Sequence, residues 1–158
     1  MMNIRRATVD DADLLARMNE AVQQIHHDAR PDLFKLYSFS PELVAEYRAR
    51  LSSDALYGFV GEVDGEPVGY LLAQVIERAD NPYTYAFRLL SVDEMSVCPE
   101  QRSHGYGEAL MDAALGIARS LGIRRVVLNV WAFNERAIDF YQRQGFKPRD
   151  IRMEAILE

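Results

Sequence analysis

The sequence predicts a mixed α/β (α+β) fold: a mostly antiparallel sheet of six or seven strands with one parallel pair at its centre, flanked by about four helices. Three observations carry that expectation. Residues 56–62 and 67–77 are apolar, β-branched and aromatic runs joined by Val63-Asp64-Gly65-Glu66, and Asp-Gly between two such runs signals a tight antiparallel hairpin. Further on, Leu110, Met111, Ala114, Ile117, Ala118 and Leu121 fall on one arc while Glu108, Asp112 and Arg119 take the opposite one, so a helix packs there on a sheet. That helix lies between strand-like runs at 85–97 and 125–130, and strand, helix, strand makes a right-handed crossover and hence a parallel pair.

The remaining elements follow in order. Residues 3–7 alternate Ile4 and Ala7 with Arg5 and Arg6, as an edge strand does, and Thr8 or Asp10 can cap the next helix. Over residues 11–29, Leu14, Leu15, Met18, Val22 and Ile25 recur at helical spacing. His26 falls on that apolar face, where it either lines an acceptor pocket or sits in the core beside a hydrogen-bond partner; His27 falls among polar residues and is expected in solvent. Pro31 ends the helix. An aromatic-rich connection with Phe34, Tyr37 and Phe39 comes next, and Ser40-Pro41-Glu42 reads as N-cap and first turn of a helix reaching about residue 52. The rings either line an apolar pocket or seal the core beneath a loop. Asn81-Pro82 marks a longer turn before the central strand. Gly122 stands where a helix-ending glycine belongs, and Val126-Val127-Leu128 reads as a buried strand. Residues 146–147 and 151–157 supply the last strands.

Length and composition bound the rest. A chain of 158 residues, 49% hydrophobic and without a linker, repeat or low-complexity tract, suits one domain over residues 1–158. The net charge, 18 − 24 = −6, disfavours a nucleic-acid surface and suits either a cationic acceptor or solubility alone. No stretch approaches the ~20 apolar residues of a membrane span, and Met1 to Arg6 lacks the apolar region of a signal peptide, so a cytoplasmic protein with no membrane partner is expected. Cys98 is the single cysteine, which rules out an intrachain disulfide and cysteine-based zinc sites; no metal is expected. A nucleophilic role for it would need a base such as His104 alongside.

The chemistry concentrates between Val92 and Leu110. A strand ending near Val97 leads through a polar turn into a helix entered at Gly105 and Gly107, where free amides and the helix dipole converge on one point. Glycines let a phosphate approach without a Cβ in the way, and Arg102 adds positive charge, so a diphosphate is the natural guest. A P-loop is excluded because Gly107 is followed by Glu108 and Ala109 rather than Lys-Ser/Thr. The dinucleotide fingerprint is excluded because Leu110 stands where a small residue is needed, and Asn129 and Val130 stand where an acid is needed.

What remains, Arg102-x-x-Gly105-x-Gly107-x-x-Leu110 after Val97-x-Pro99, resembles the coenzyme A signature of the GCN5-related N-acetyltransferases (GNAT). Leu128-x-Val130-x-x-x-Asn134-x-x-Ala137-Ile138-x-Phe140-Tyr141-x-x-x-Gly145-Phe146 is similar to that family's second block. The resemblance implies the GNAT fold, whose two parallel strands splay apart, and acetyl-CoA as cosubstrate. It implies CoA contacts from Met95, Ser96, Val97, Arg102, Ser103, His104, Gly105, Tyr106, Gly107, Glu108, Asn134, Ala137 and Phe140. Ser103 and His104 depart from the family's usual glycine or basic residues. The reaction implied is attack of a free amine on the thioester through a tetrahedral oxyanion, with Tyr141 as general acid towards the thiolate.

The resemblance favours Glu94 as the base, with Asp93 or a water chain as the alternative; the other reading of Glu94 is structural, a salt bridge or cap to a neighbouring loop. Neighbouring strand residues point to opposite faces, so only one of the two acids enters the cleft unless a bulge intervenes. The segment between the first two helices, in such enzymes, walls the acceptor site, which makes His26, Phe34, Tyr37 and Phe39 candidates for binding a small-molecule amine such as a polyamine, an amino acid derivative or an aminoglycoside-like compound. The other readings are a protein N-terminal or lysine acetyltransferase and a non-catalytic acyl-CoA sensor. A homodimer is compatible with all three.

Overall fold

Asp64 and Gly65 hold φ values of 52° and 82°, the double left-handed step that a two-residue hairpin turn needs. They join β2 (Leu56–Val63) to β3 (Glu66–Arg78). The computed structural model, which describes residues 1–158, adds β1 (Met2–Arg6) outside β2, and β4 (Phe87–Val97) then β5 (Val126–Leu128) beyond β3, giving one sheet in sequence order. Every pairing is antiparallel except β4 with β5. The helices are α1 (Ala12–Met18), α2 (Glu20–Ala29), α3 (Pro41–Leu51), α4 (Tyr106–Ser120) and α5 (Glu135–Arg143). This is the mixed, mostly antiparallel fold that the sequence predicts.

Alternate residues of β3 serve opposite layers, as a two-residue side-chain period requires. Leu71 and Ala73 join Leu90, Val92, Leu110, Met111, Ala114 and Ala118 in the core beneath α4. Tyr70 and Leu72 face the other way and pack with Leu15, Ala16, Tyr47 and Val60 under α1 and α3. A leucine buried this completely contributes roughly 1.5–3 kcal/mol each, so the sheet is clamped from both sides.

Three features depart from expectation. The single helix expected over residues 11–29 is broken at Asn19 into α1 and α2, although the Asn19 amide still donates to the Leu15 carbonyl at 2.9 Å. The β4 register slips against β3: Ala73 pairs with Val92 but Leu72 pairs with Glu94, so Asp93 is an extra, bulged residue. Finally, the sheet stops at five strands. Residues 146–158 carry the alternation of a strand but find no strand partner in this chain, leaving Ile151, Met153, Ile156 and Leu157 between 79% and 88% exposed. No helix is long and apolar enough to cross a membrane.

Candidate active site

The turn into α4 is built on left-handed backbone. Ser103 and Gly105 hold φ of 67° and 80°, and Gly105 sits at the N-cap with no side chain to satisfy the first-turn amides. Its carbonyl takes the first helical bond, from Ala109 at 3.1 Å, so the amides of residues 105–108 have no carbonyl partner in the helix. A Cβ on Gly107 would meet the Phe140 ring at 3.4 Å and Val97 Cγ2 at 3.9 Å, both ordinary contacts. Arg102 donates through Nε to the Val97 carbonyl at 3.2 Å, which fixes the guanidinium at the cleft and leaves its terminal nitrogens without a protein acceptor. Arg136 on α5 lines the same cleft. Burial and then the neighbouring Arg136 charge hold the Arg102 pKa below its ordinary value. Neither guanidinium has a carboxylate partner, and two such cations beside free amides suit a polyanion.

The cleft, about 410 Å³, runs from this anion pole between β4 and the end of β5 to α2 and α5. It exists because the parallel pairing stops early. Leu90, Ser91 and Val92 pair with Val126, Val127 and Leu128, and no bridge follows, so β4 continues to Val97 with its α5-side edge open. Asn134 spends its side-chain oxygen capping α5, accepting from the Ala137 amide at 3.2 Å, and its amide nitrogen remains available at the cleft. Tyr141 packs edge-on between Phe140 and Phe146. Its hydroxyl makes no hydrogen bond within the chain, and burial raises its pKa, so it stays a protonated donor throughout the neutral range.

The bulge at Asp93 decides the acidic end. Without it, Glu94 would share the face of Val92 and point towards α4. With it, Asp93 and Glu94 both fall on the α1 and α3 face and both line the cleft. Glu94 is fully engaged there: Oε1 accepts from Asn19 Nδ2 at 3.0 Å and from the hydroxyls of Tyr47 and Tyr70, while Oε2 accepts from Arg50 at 2.8 Å. Burial, and secondarily the Glu94 charge, push both tyrosines well above their usual pKa. Asp93 is more exposed, and each of its oxygens accepts once, from Ser91 at 2.9 Å and Gln74 at 2.7 Å. Two consecutive carboxylates with one arginine between them leave this end of the cleft negative.

The sequence pattern of the Acetyltransferase (GNAT) family matches residues 20–146, most of the chain and the whole of the cleft. The chain belongs to the GNAT family. An uncharacterised N-acetyltransferase of Archaeoglobus fulgidus is 30% identical over 154 residues, 92% of this chain and 93% of that protein. Another, MJ1207 of Methanocaldococcus jannaschii, is 34% identical over 98 residues, 59% of this chain and only 40% of the relative's length. The BH1408 protein of Bacillus halodurans, solved as a tetramutant, superposes with a TM-score of 0.90 at 24% identity, covering 98% of this chain and 99% of that one. GNAT proteins are acetyl-CoA-dependent N-acetyltransferases, and the amide-and-arginine pole fits the diphosphate of that cosubstrate.

Among the residues that the GNAT resemblance assigns to CoA, His104 alone turns away from the cleft: its Nδ1 bonds the Arg102 carbonyl at 2.9 Å and its ring stacks on Tyr106. The acceptor wall divides. His26 lines the cleft, with Nδ1–H donating to the Val22 carbonyl at 2.7 Å so that Nε2 is left for a guest. Phe34 backs it at a centroid distance of 4.9 Å. Tyr37 instead donates to the Ala16 carbonyl at 2.8 Å, and Phe39 lies under the Arg17 guanidinium, so neither reaches the cleft. Trp131 and Phe133, stacked on each other and edge-on to Phe34 and His26, complete the wall. His27, expected in solvent, bonds the Phe34 carbonyl at 2.9 Å. Arg136, Trp131 and the Glu94 partners Asn19, Tyr47, Arg50 and Tyr70 carry no motif in the sequence; only the fold assembles them.

Proposed function

We propose that this GNAT protein transfers an acetyl group from acetyl-CoA to the primary amine of a small cationic molecule, by direct attack while both substrates are held. The observation that carries the reading is the pairing of opposite poles along one cleft: free amides with Arg102 and Arg136 at one end, Asp93 and Glu94 at the other. The bound cosubstrate supplies a thioester carbonyl, and every other part comes from the chain. Asp93 and Glu94 attract the ammonium, and the flat wall of His26 and Trp131 receives the carbon skeleton.

An alkylamine with a pKa near 10 is only about a thousandth deprotonated at pH 7, so removal of its proton has to be assisted. Glu94 accepts four hydrogen bonds and is a fixed anchor. Asp93 has acceptor capacity to spare on both oxygens and takes the proton. Tyr141, at the α5 side of the cleft, donates a proton to the departing thiolate. The test is thiol release from acetyl-CoA across a panel of polyamines, amino acid derivatives, aminoglycosides and lysine peptides, with mass spectrometry of the products. A small polycation should be acetylated in preference to a neutral or acidic amine. Thiol release with lysine peptides alone would move the acceptor to proteins, and release with no amine would leave an acyl-CoA-binding domain without turnover.

A further inference from the structure

The helix α2 presents three residues to the cleft, Val22, Ile25 and His26. Two are apolar, so the polar chemistry of this wall falls to one ring. The Nδ1 of His26 lies 2.7 Å from the Val22 carbonyl, which can only accept. Nδ1 therefore carries the hydrogen, and Nε2 of the neutral ring presents a lone pair. No group of the chain donates to Nε2, and no partnerless side-chain nitrogen or oxygen is buried. The lone pair is thus reachable from the cleft.

The ring is also held in place. Phe34 and Phe133 meet it edge-on, at 4.9 and 5.7 Å between centroids. Phe34 is itself fixed: its amide donates to the Arg30 carbonyl at 2.9 Å, its carbonyl bonds His27 at 2.9 Å, and Gln23 donates to the next carbonyl, that of Lys35, at 2.6 Å. The helix is aimed from its start as well, because Asn19 at the α1–α2 break donates to Glu94 at 3.0 Å. An acceptor atom locked among apolar side chains costs free energy in any complex that leaves it dry and unpaired. A bare hydrocarbon chain is the wrong guest for it.

We propose that His26 determines acceptor specificity, its Nε2 accepting a hydrogen bond from a second donor on the acceptor, an N–H or O–H a short chain away from the reacting amine. The inference rests on the transferase reading above and narrows its acceptor class from primary amines to diamines and amino alcohols. The reacting nitrogen lies at Asp93, the second donor at His26, and the carbon chain between them against Trp131, three residues that line the same cleft.

The test compares kcat/KM for butylamine, aminobutanol and diaminobutane in wild type, His26→Phe and His26→Gln, with the propyl and pentyl series alongside so that reach is sampled. Wild type should favour both bifunctional amines over the alkylamine by on the order of tenfold. The hydroxyl carries no charge, so its share of that preference cannot come from the acidic pole. His26→Phe keeps a ring between Phe34 and Phe133 and loses the nitrogen, and it should bring the ratio close to one. His26→Gln, whose side-chain oxygen can accept in the same place, should restore most of it. Titration with CoA checks that both variants fold. Calorimetric binding of the same amines to the CoA-loaded protein is read in parallel, so a chain without turnover, which would sink the transferase reading, still reports the selection at His26. Butylamine taken as well as aminobutanol, a preference for diaminobutane alone, a ratio that survives His26→Phe, or no binding of any of these amines would each overturn the proposal.

Discussion

Gly107 shows how one residue separates fold from ligand. Its absent Cβ would sit 3.4 Å from the Phe140 ring, an ordinary contact, so the protein itself tolerates a side chain there, whereas the proposed diphosphate on the helix amides would not. Gly107→Asp adds bulk and like charge at that point and should weaken CoA binding by on the order of 10²-fold. Arg102→Ala removes one of the guanidiniums that line the cleft and should cost roughly tenfold, about 1.4 kcal/mol. Calorimetric titration orders the two, and an aspartate variant with wild-type affinity would remove the phosphate assignment. Residues of this kind were legible in the sequence because backbone amides need glycine and anions need arginine. His104 was not, since nothing in its position reveals that its ring turns onto Tyr106. Trp131 was not either, since a lone tryptophan after a strand has no spacing to mark it.

At the level of elements, the hairpin, the capped helices and the crossover all follow from local chemistry. Asp64-Gly65, Ser40 accepting from the Leu43 amide at 3.2 Å, and Gly122 at φ 69° sit where the sequence places them. The bulge enters the sequence reading only as a condition for both acids to share a face. Its location depends on the register that β3 imposes on β4, and register is a tertiary property. The break at Asn19 belongs to the same class, because the Asn19 side chain turns to Glu94, 75 residues away. The close crossing of β3, β4 and α4 yields a stability test with two signs. A Cβ on Gly69 would come within 2.8 Å of the Ser96 carbonyl oxygen and 3.1 Å of Leu110, whereas Gly116 has nothing within 4 Å. Gly69→Ala should therefore destabilise by about 1–3 kcal/mol, and Gly116→Ala, inside α4, should stabilise by roughly 0.5–1 kcal/mol. Urea unfolding measures both.

Across the whole molecule, the fold class was readable because periodicity and turn residues agree along most of the chain. The strand count was not. Residues 151–157 have a strand's pattern, yet a pattern needs a partner edge, and none within this chain meets it. The active site divides in the same way. Its anion pole is a local motif, while its acidic pole draws Asn19, Tyr47, Arg50, Tyr70 and Glu94 from four separate stretches. The proposed mechanism places the base at that acidic pole, and a pH–rate profile with one accepted amine, for wild type, Asp93→Asn, Glu94→Gln and Tyr141→Phe, tests it most directly. Asp93→Asn should be slowed most at neutral pH and recover as the pH rises towards the amine's pKa, since free amine then needs no base. Glu94→Gln should show a defect constant with pH, as an anchor does. Tyr141→Phe should lose on the order of 10²-fold in kcat at every pH below the raised phenol pKa, with CoA affinity unchanged. A profile in which Asp93→Asn matches wild type while Glu94→Gln alone recovers at high pH would contradict the account and return the base to Glu94.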